Sequence, residues 1–310
     1  MKKQLLIFVP LFLMVACTKQ STSYENIEKN DLFFKEMTTK VSGKFVPLSN
    51  GVTYYEELNP SSTKGTLVFV HGFSVPSYIW SPSFETAAKK GYRVIRMDLY
   101  GRGYSANPTL PYTDELLAKQ VLELLDYLNI EKASFLGLSN GGRVISKIAY
   151  LNIDIIERLI YVASSGFQEK TPFETINQEV SQEEIAAFIN NYPAMAKSQS
   201  SDFKNPEQFP GWVARYEELL QYKGFAYALI STRKNHTTMD VEHQMIHKTG
   251  IPVYTLFGDS DSVVIYDRFK DRIMNLLPNR NELFISNSGH LPHMENQKEF
   301  ERYLFETILN

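Results

Sequence analysis

Residues 135–142, Phe135-Leu136-Gly137-Leu138-Ser139-Asn140-Gly141-Gly142, run an apolar strand into the pattern G-x-S-x-G. That pattern puts a serine on a sharp turn between a strand and a helix. Gly137 and Gly141 remove the Cβ atoms that would crowd such a turn and leave the Ser139 hydroxyl exposed above the sheet. Five residues of common types also match many plain turns. Ser139 acquires chemistry only if the rest of the chain supplies a base, an acid and donors for an oxyanion.

Outward from this stretch, short β-type runs alternate with helical patterns, which predicts an α/β fold built on a mainly parallel sheet. Eight runs qualify as strands: 41–47, 52–57, 66–70, 92–97, 133–138, 159–163, 252–257 and 282–285. Ser49-Asn50-Gly51 between the first two is a hairpin turn signal. The later runs are continuously apolar, as in strands covered on both faces. Between strands, 113–128 carries leucines and Val121 at helical spacing, with Asp114 near its start. The stretch 165–248 breaks the alternation. It is helical in pattern, rich in Glu and Gln, and interleaved with Phe173, Phe188, Tyr192, Trp212, Tyr216, Tyr222 and Phe225. An insertion of that length is a lid or a small second domain, and its aromatics are expected to form its own core.

In such a fold, chemistry sits on loops at the C-terminal ends of strands. The run 252–257 is followed by Gly258-Asp259-Ser260-Asp261, and 282–285 by Asn287-Ser288-Gly289-His290. The run 66–70 ends in His71-Gly72-Phe73. The chain order Ser139, Asp261, His290 is that of a nucleophile-elbow hydrolase, with the backbone N–H groups of Phe73 and Asn140 as oxyanion donors.

Taken together these segments resemble the α/β-hydrolase fold family, over about residue 41 to the C-terminus. His71-Gly72-Phe73 is similar to the family's oxyanion loop, and Asp98-Leu99-Tyr100-Gly101-Arg102-Gly103-Tyr104-Ser105 to its D-x-x-G-x-G-x-S loop. The elbow at Ser139, Gly258-Asp259-Ser260-Asp261 and Gly289-His290-Leu291-Pro292-His293 complete the set. The resemblance implies an eight-stranded, mostly parallel sheet flanked by helices, with a helical lid. Within the family the chain is most similar to lid-bearing esterases, monoacylglycerol-lipase-like enzymes and carbon–carbon bond hydrolases. A serine at 139 speaks against haloalkane dehalogenases and epoxide hydrolases, which carry aspartate there. Gly-Leu-Ser-Asn-Gly-Gly likewise departs from the Gly-Gly-Ser-Trp-Gly-Ser of proline iminopeptidases.

Asp259 and Asp261 follow the same strand, and the family spacing favours Asp261, leaving Asp259 as a turn residue. His290, directly after the Gly289 turn, is favoured over His293 as the base. His71 reads as a brace for the oxyanion loop, and Asp98 and Arg102 as structural residues of theirs. His243 and His247 lie four apart on one helical face, near His236, but lack the glutamate of an H-E-x-x-H metal site. Packing or a solvated face is expected there, and no metal or cofactor is assigned.

The chain has 310 residues, 43% hydrophobic and 22% charged, with net charge −3, which suits a globular protein and supplies no footprint for nucleic acid. Lys2 and Lys3 precede an apolar run, 5–16, ending at Cys17, the sole cysteine. This reads as a secretory signal too short for a comfortable transmembrane helix. A cysteine at the cleavage position resembles a bacterial lipoprotein signal, with Met14 where leucine is usual, so Cys17 is the expected lipidation site. The alternatives are simple cleavage near Ala16, giving a secreted or periplasmic soluble protein, or an uncleaved anchor. Loss of the segment leaves 30 basic against 35 acidic residues, a charge of −5.

The expected organisation is therefore a signal over 1–17, a polar tether over 18–40, a core from 41–164 and 249–310, and a lid over 165–248. The expected protein is lipid-anchored and extracytoplasmic in a bacterial envelope. It is expected to cleave a small-molecule or lipid carboxylic ester as a carboxylesterase or lipase-like serine hydrolase. The alternatives are a carbon–carbon hydrolase on the same triad and a non-catalytic envelope-binding protein.

Overall fold

A computed structural model describes residues 24–168 and 178–310. The signal segment with Cys17, the start of the tether, and Phe173 lie outside the described residues.

The strands are β1 (Lys44–Leu48), β2 (Gly51–Leu58), β3 (Thr66–Val70), β4 (Arg93–Met97), β5 (Ala133–Leu138), β6 (Ile156–Val162), β7 (Val253–Gly258) and β8 (Asn281–Ile285). They form one sheet in the order β1-β2-β4-β3-β5-β6-β7-β8. β2 runs antiparallel to both its neighbours, and every pairing from β4 to β8 is parallel. The register Leu48↔Gly51 closes the hairpin at Ser49-Asn50. β1 begins three residues later than its apolar run, after a bend at Ser42-Gly43.

Alternation of side chains sends the strands' apolar residues to two cores. Val68, Val70, Ile95 and Met97 point to one core. It is completed by α3 (Asp114–Tyr127), α4 (Asn140–Leu151), α9 (Asp240–Thr249) and α10 (Lys270–Leu276), through Val121, Ile145, Ile246 and Ile273. Leu67, Phe69 and Val94 point to the other, under α2 (Ser81–Lys89) and the helix Gln297–Tyr303, where Phe84 and Phe300 sit. Every residue of β5 is buried, so the strand that delivers Ser139 is held from both sides.

The insertion between β6 and β7 contains α5 (Gln182–Asn190), α6 (Tyr192–Ser198), α7 (Trp212–Leu219) and α8 (Phe225–Lys234) before α9. Tyr192, Trp212, Tyr216 and Phe225 are buried against one another and against Leu219 and Leu229, as the aromatic spacing led one to expect of an insertion core. α9 is different. It packs on α4, so the last helix of the 165–248 stretch belongs to the flank of the sheet.

The polar stretch read as a tether is not free after residue 23. α1 (Asp31–Met37) is capped by Asn30, whose side chain accepts from Phe33 N–H at 3.1 Å. Ahead of it the chain pairs with the insertion: Glu25 and Ile27 donate to the carbonyls of Leu220 and Gln221, both at 2.9 Å. The Glu25 carboxylate accepts from the N–H groups of Gly224 and Ala226, at 2.9 and 2.7 Å, in the uncapped first turn of α8. It also accepts from the Tyr192 hydroxyl at 2.6 Å. Polarity suggested a linker, but these polar groups are spent on orphaned backbone donors, which is a docking function. Among the described residues no helix is long and apolar enough to cross a membrane.

Candidate active site

Ser139 stands between β5 and α4 with φ +50° and ψ −115°. A non-glycine residue there costs ~1–3 kcal/mol and persists only where surroundings enforce it. They do. A Cβ on Gly137 would lie 2.6 Å from the Gly141 carbonyl oxygen, and one on Gly141 would collide with the carbonyl of Val70 at the end of β3. Ser139 N–H donates to Val162 O at 2.8 Å, tying the turn to β6.

The loop after β3 lies beside this serine, since a Cβ on Gly72 would sit 3.4 Å from Ser139 Cβ and 4.0 Å from its Oγ. His71 braces it. Its Nε2 accepts from Leu99 N–H and its Nδ1 faces Gly72 O, both at 2.9 Å. Burial, aided by the charge of Arg102, pushes its pKa down to about 3, so the ring is neutral. Arg102 is buried and donates from Nε to Phe73 O at 2.8 Å, and from Nη2 to Thr232 Oγ1 of α8 at 2.8 Å. Asp98 accepts from the N–H groups of Ser77 and Tyr104 at 2.9 and 2.8 Å. The D-x-x-G-x-G-x-S loop therefore fixes the backbone on which Phe73 sits. No hydrogen bond among the described residues takes up the N–H of Phe73 or of Asn140, and Asn140 opens α4, where the helix dipole favours negative charge.

The loops after β7 and β8 meet through glycine. A Cβ on Gly258 would lie 2.5 Å from Ser288 O. His290 Nδ1 and Asp261 Oδ2 are 2.9 Å apart, and the other oxygen of Asp261 accepts from the N–H groups of Val263 and Val264, both at 2.8 Å. Burial lowers the His290 pKa, but the carboxylates of Asp261 and then Asp202 outweigh it and raise it above the ordinary histidine value. Asp259 faces away, accepting from Asn287 N–H at 2.9 Å and Ser288 N–H at 3.3 Å, and so shapes the loop that carries His290. His293 Nε2 contacts Ile79 O at 3.0 Å and its ring lies 4.4 Å from that of Trp80.

Ser139, His290, Gly72, Phe73 and Asp202 all line one cavity of about 190 Å³. The Ser139 hydroxyl makes no hydrogen bond to the imidazole, and such contacts commonly tighten only in the substrate complex. A larger hollow of about 720 Å³ near Lys90 and Arg302 shares only Ser286 with these loops and is lined by neither Ser139 nor His290. Size alone is a poor guide beside convergent chemistry.

The sequence pattern of the alpha/beta hydrolase fold family matches residues 65–297. The chain belongs to this family. YugF of Bacillus subtilis (strain 168), an uncharacterised hydrolase, is 23% identical over 84% of this chain and 95% of its own length. The pimeloyl-[acyl-carrier protein] methyl ester esterase of Aliivibrio fischeri is 25% identical over 79% of the chain and 93% of its own length. The crystal structure of the enol-lactonase from Burkholderia xenovorans LB400 superposes with a TM-score of 0.71 at 19% identity, covering 86% of this chain and all of that one. That likeness is one of fold.

In this alpha/beta hydrolase the histidine pair of α9 is divided by its surroundings. His243 is buried, 3.1 Å from Ser146 Oγ through Nε2 and stacked on Phe167 at 4.6 Å. Among the described residues no group of three or more His, Cys, Asp or Glu side chains could hold a metal ion.

Asp202, which sequence reading passed over, lies at the end of a short 3-10 turn (Gln199–Asp202) in the insertion. Its carbonyl accepts from His290 N–H at 2.8 Å. Burial pushes its carboxyl pKa up to about 6, with His290 acting against that push and Asp261 adding to it. No motif announces this residue, because only tertiary packing brings it to the cavity.

Proposed function

We propose that the protein is a serine hydrolase of carboxylic esters with small acyl groups. The observation that carries this is the 2.9 Å pair of His290 and Asp261 at a cavity also lined by an elbow serine with positive φ. Ser139 attacks the acyl carbonyl while His290 takes its proton, and Asp261 holds the imidazole tautomer and stabilises the imidazolium. The free N–H groups of Phe73 and Asn140 receive the oxyanion, each contributing about 3 kcal/mol in the transition state. Water then resolves the acyl-enzyme, with His290 as base.

Support for an ester comes from the Aliivibrio relative, which is named for methyl ester cleavage. Support for a small acyl group comes from the cavity of about 190 Å³, below the roughly 300–1,000 Å³ of sites that engulf larger ligands. A panel of p-nitrophenyl esters of rising chain length tests this, with Ser139→Ala as control. Acetate and butyrate are expected to exceed decanoate in kcat/KM. Turnover of no ester, with cleavage of a carbon–carbon bond in a diketone or with binding alone, would replace this reading.

His290 has to be neutral to act as base. Its raised pKa predicts that kcat/KM falls as pH drops through a value above the ordinary histidine 6.5, and stays high at pH 8. A profile flat from pH 5 to 8 would remove His290 from this role.

For location we propose a lipid-anchored, extracytoplasmic protein attached through Cys17, on the strength of the signal-like segment that ends there. Cys17→Ser is expected to abolish acyl labelling and release the protein from the membrane fraction. Unchanged fractionation would leave simple cleavage near Ala16 or an uncleaved anchor.

A further inference from the structure

We propose that Asp202 is a specificity-determining residue that makes the site select esters bearing a positively charged group close to the scissile carbonyl. This rests on the serine-esterase reading above and adds a substrate class to it.

Asp202 is a built part of the cavity. Its carbonyl is bonded to His290 N–H at 2.8 Å, and a Cβ on Gly289 would lie 2.8 Å from that same carbonyl. The residues after it are clamped to the histidine loop by Glu295, whose carboxylate accepts from the N–H groups of Lys204 at 3.2 Å, Asn205 at 2.9 Å and Gly289 at 2.5 Å. One carboxylate thus ties both segments together, so Asp202 cannot drift away from the base without undoing that clamp.

Its carboxyl group has no such bonds. No described residue donates a hydrogen bond to it, and Asp202, half-buried, is part of the lining of the cavity that holds Ser139 and His290. An unpaired carboxylate in that position is costly. No lysine or arginine lines the cavity. The near candidates are engaged elsewhere: Lys204 Nζ lies 3.8 Å from Asp259, and Arg102 spends its nitrogens on Phe73, Tyr100 and Thr232. Arg233 lies over the Phe73 ring at 5.7 Å and is not part of the lining. His290 itself is uncharged in the form that starts the reaction. With His290 in its neutral, reactive form the cavity therefore holds the Asp202 carboxylate and no positive charge to pair it. A cationic substrate group supplies the missing partner, and an anionic group meets repulsion with no compensating donor.

The test compares three short esters: acetylcholine, its uncharged isostere 3,3-dimethylbutyl acetate, and monomethyl succinate, which carries a carboxylate on its acyl side. For the wild type, kcat/KM is expected to favour the cation over the isostere by on the order of tenfold, with the anion poorest. Asp202→Asn is expected to bring the cation-to-isostere ratio to within about twofold of one. A measurement on the unaltered protein stands beside it: choline should inhibit p-nitrophenyl acetate hydrolysis at concentrations about tenfold lower than 3,3-dimethylbutanol. A wild-type ratio near one, equal inhibition by the two alcohols, or a ratio unchanged in Asp202→Asn overturns the proposal. If neutral esters are cleaved in a Ser139-dependent way and the ratio is flat, this inference alone fails. If no ester is cleaved, the esterase reading fails and takes this one with it.

Discussion

Ser139→Ala is expected to lower p-nitrophenyl acetate turnover by about 10⁴-fold or more without disturbing the fold. The substitution keeps the Cβ, and the hydroxyl it removes has no hydrogen bond to any described residue, so nothing structural is lost with it. The positive φ of 50° is imposed by Gly137, Gly141 and the bond to Val162, all of which remain. What disappears is the nucleophile alone. The two oxyanion donors and the cavity survive, so a residual acceleration over water of roughly 10³–10⁴ is compatible with the proposed mechanism. Turnover near the wild-type rate in a correctly folded variant would mean that another group attacks the ester. Circular dichroism and an unchanged melting temperature establish the folding condition independently of activity.

Arg143→Met is expected to cost about 3–5 kcal/mol of stability, read as a shift of the urea midpoint. Arg143 in the first turn of α4 and Asp114 in the first turn of α3 are both almost fully buried. Nε meets Oδ1 at 3.1 Å and Nη2 meets Oδ2 at 2.6 Å, while Nη2 also donates to Thr237 O at 2.6 Å. The variant leaves a carboxylate in the core with its forked partner gone. Burial alone would raise the Asp114 pKa, yet Arg143 holds it below the ordinary aspartate value. A depressed carboxylate pKa contributes stability above the unfolded value and loses it as pH falls through the folded one. The wild type should therefore lose this contribution in acid, and Arg143→Met should lose less there. Replacing both residues, as Arg143→Met with Asp114→Leu, is expected to restore much of the loss, because the buried charge goes with its partner. A single-variant cost below about 1 kcal/mol would show that water reaches the pair.

The parts of this protein legible from its sequence share one property: their causes are local. The elbow is a matter of which residues within five can tolerate a sharp turn, and Gly137 and Gly141 state it directly. The central strands, β3, β4 and β5 above all, show as apolar runs because both faces of the sheet are covered there. Asp261 could be separated from Asp259 only by spacing, and the structure gives the physical difference, since Asp259 accepts from Asn287 and Ser288 while Asp261 faces His290. Asp202 was not legible. It is one acid in a polar, helical insertion, and its position beside the base depends on Glu295 and Gly289, some ninety residues away. The N-terminal arm misled for a related reason. Its composition is that of a linker, and nothing in Glu25 itself reveals that Gly224 and Ala226 need an acceptor. The division of the insertion was hidden too, because α9 is as polar as its neighbours and two of its three buried residues, Glu242 and His243, are polar types beside Ile246.

The arm's contact through Glu25 also has a bearing on the order of events in folding. Its partners Tyr192, Gly224 and Ala226 are 167, 199 and 201 residues further along the chain. A segment made early must wait for one made late, and this is among the longest loops the chain closes. The first turn of α8 gains its acceptor only then, so the insertion is finished from outside itself. The same connection works in mechanical terms: tension applied to the N-terminus is borne first by the Glu25 cap and the insertion behind it, before any of it reaches the sheet.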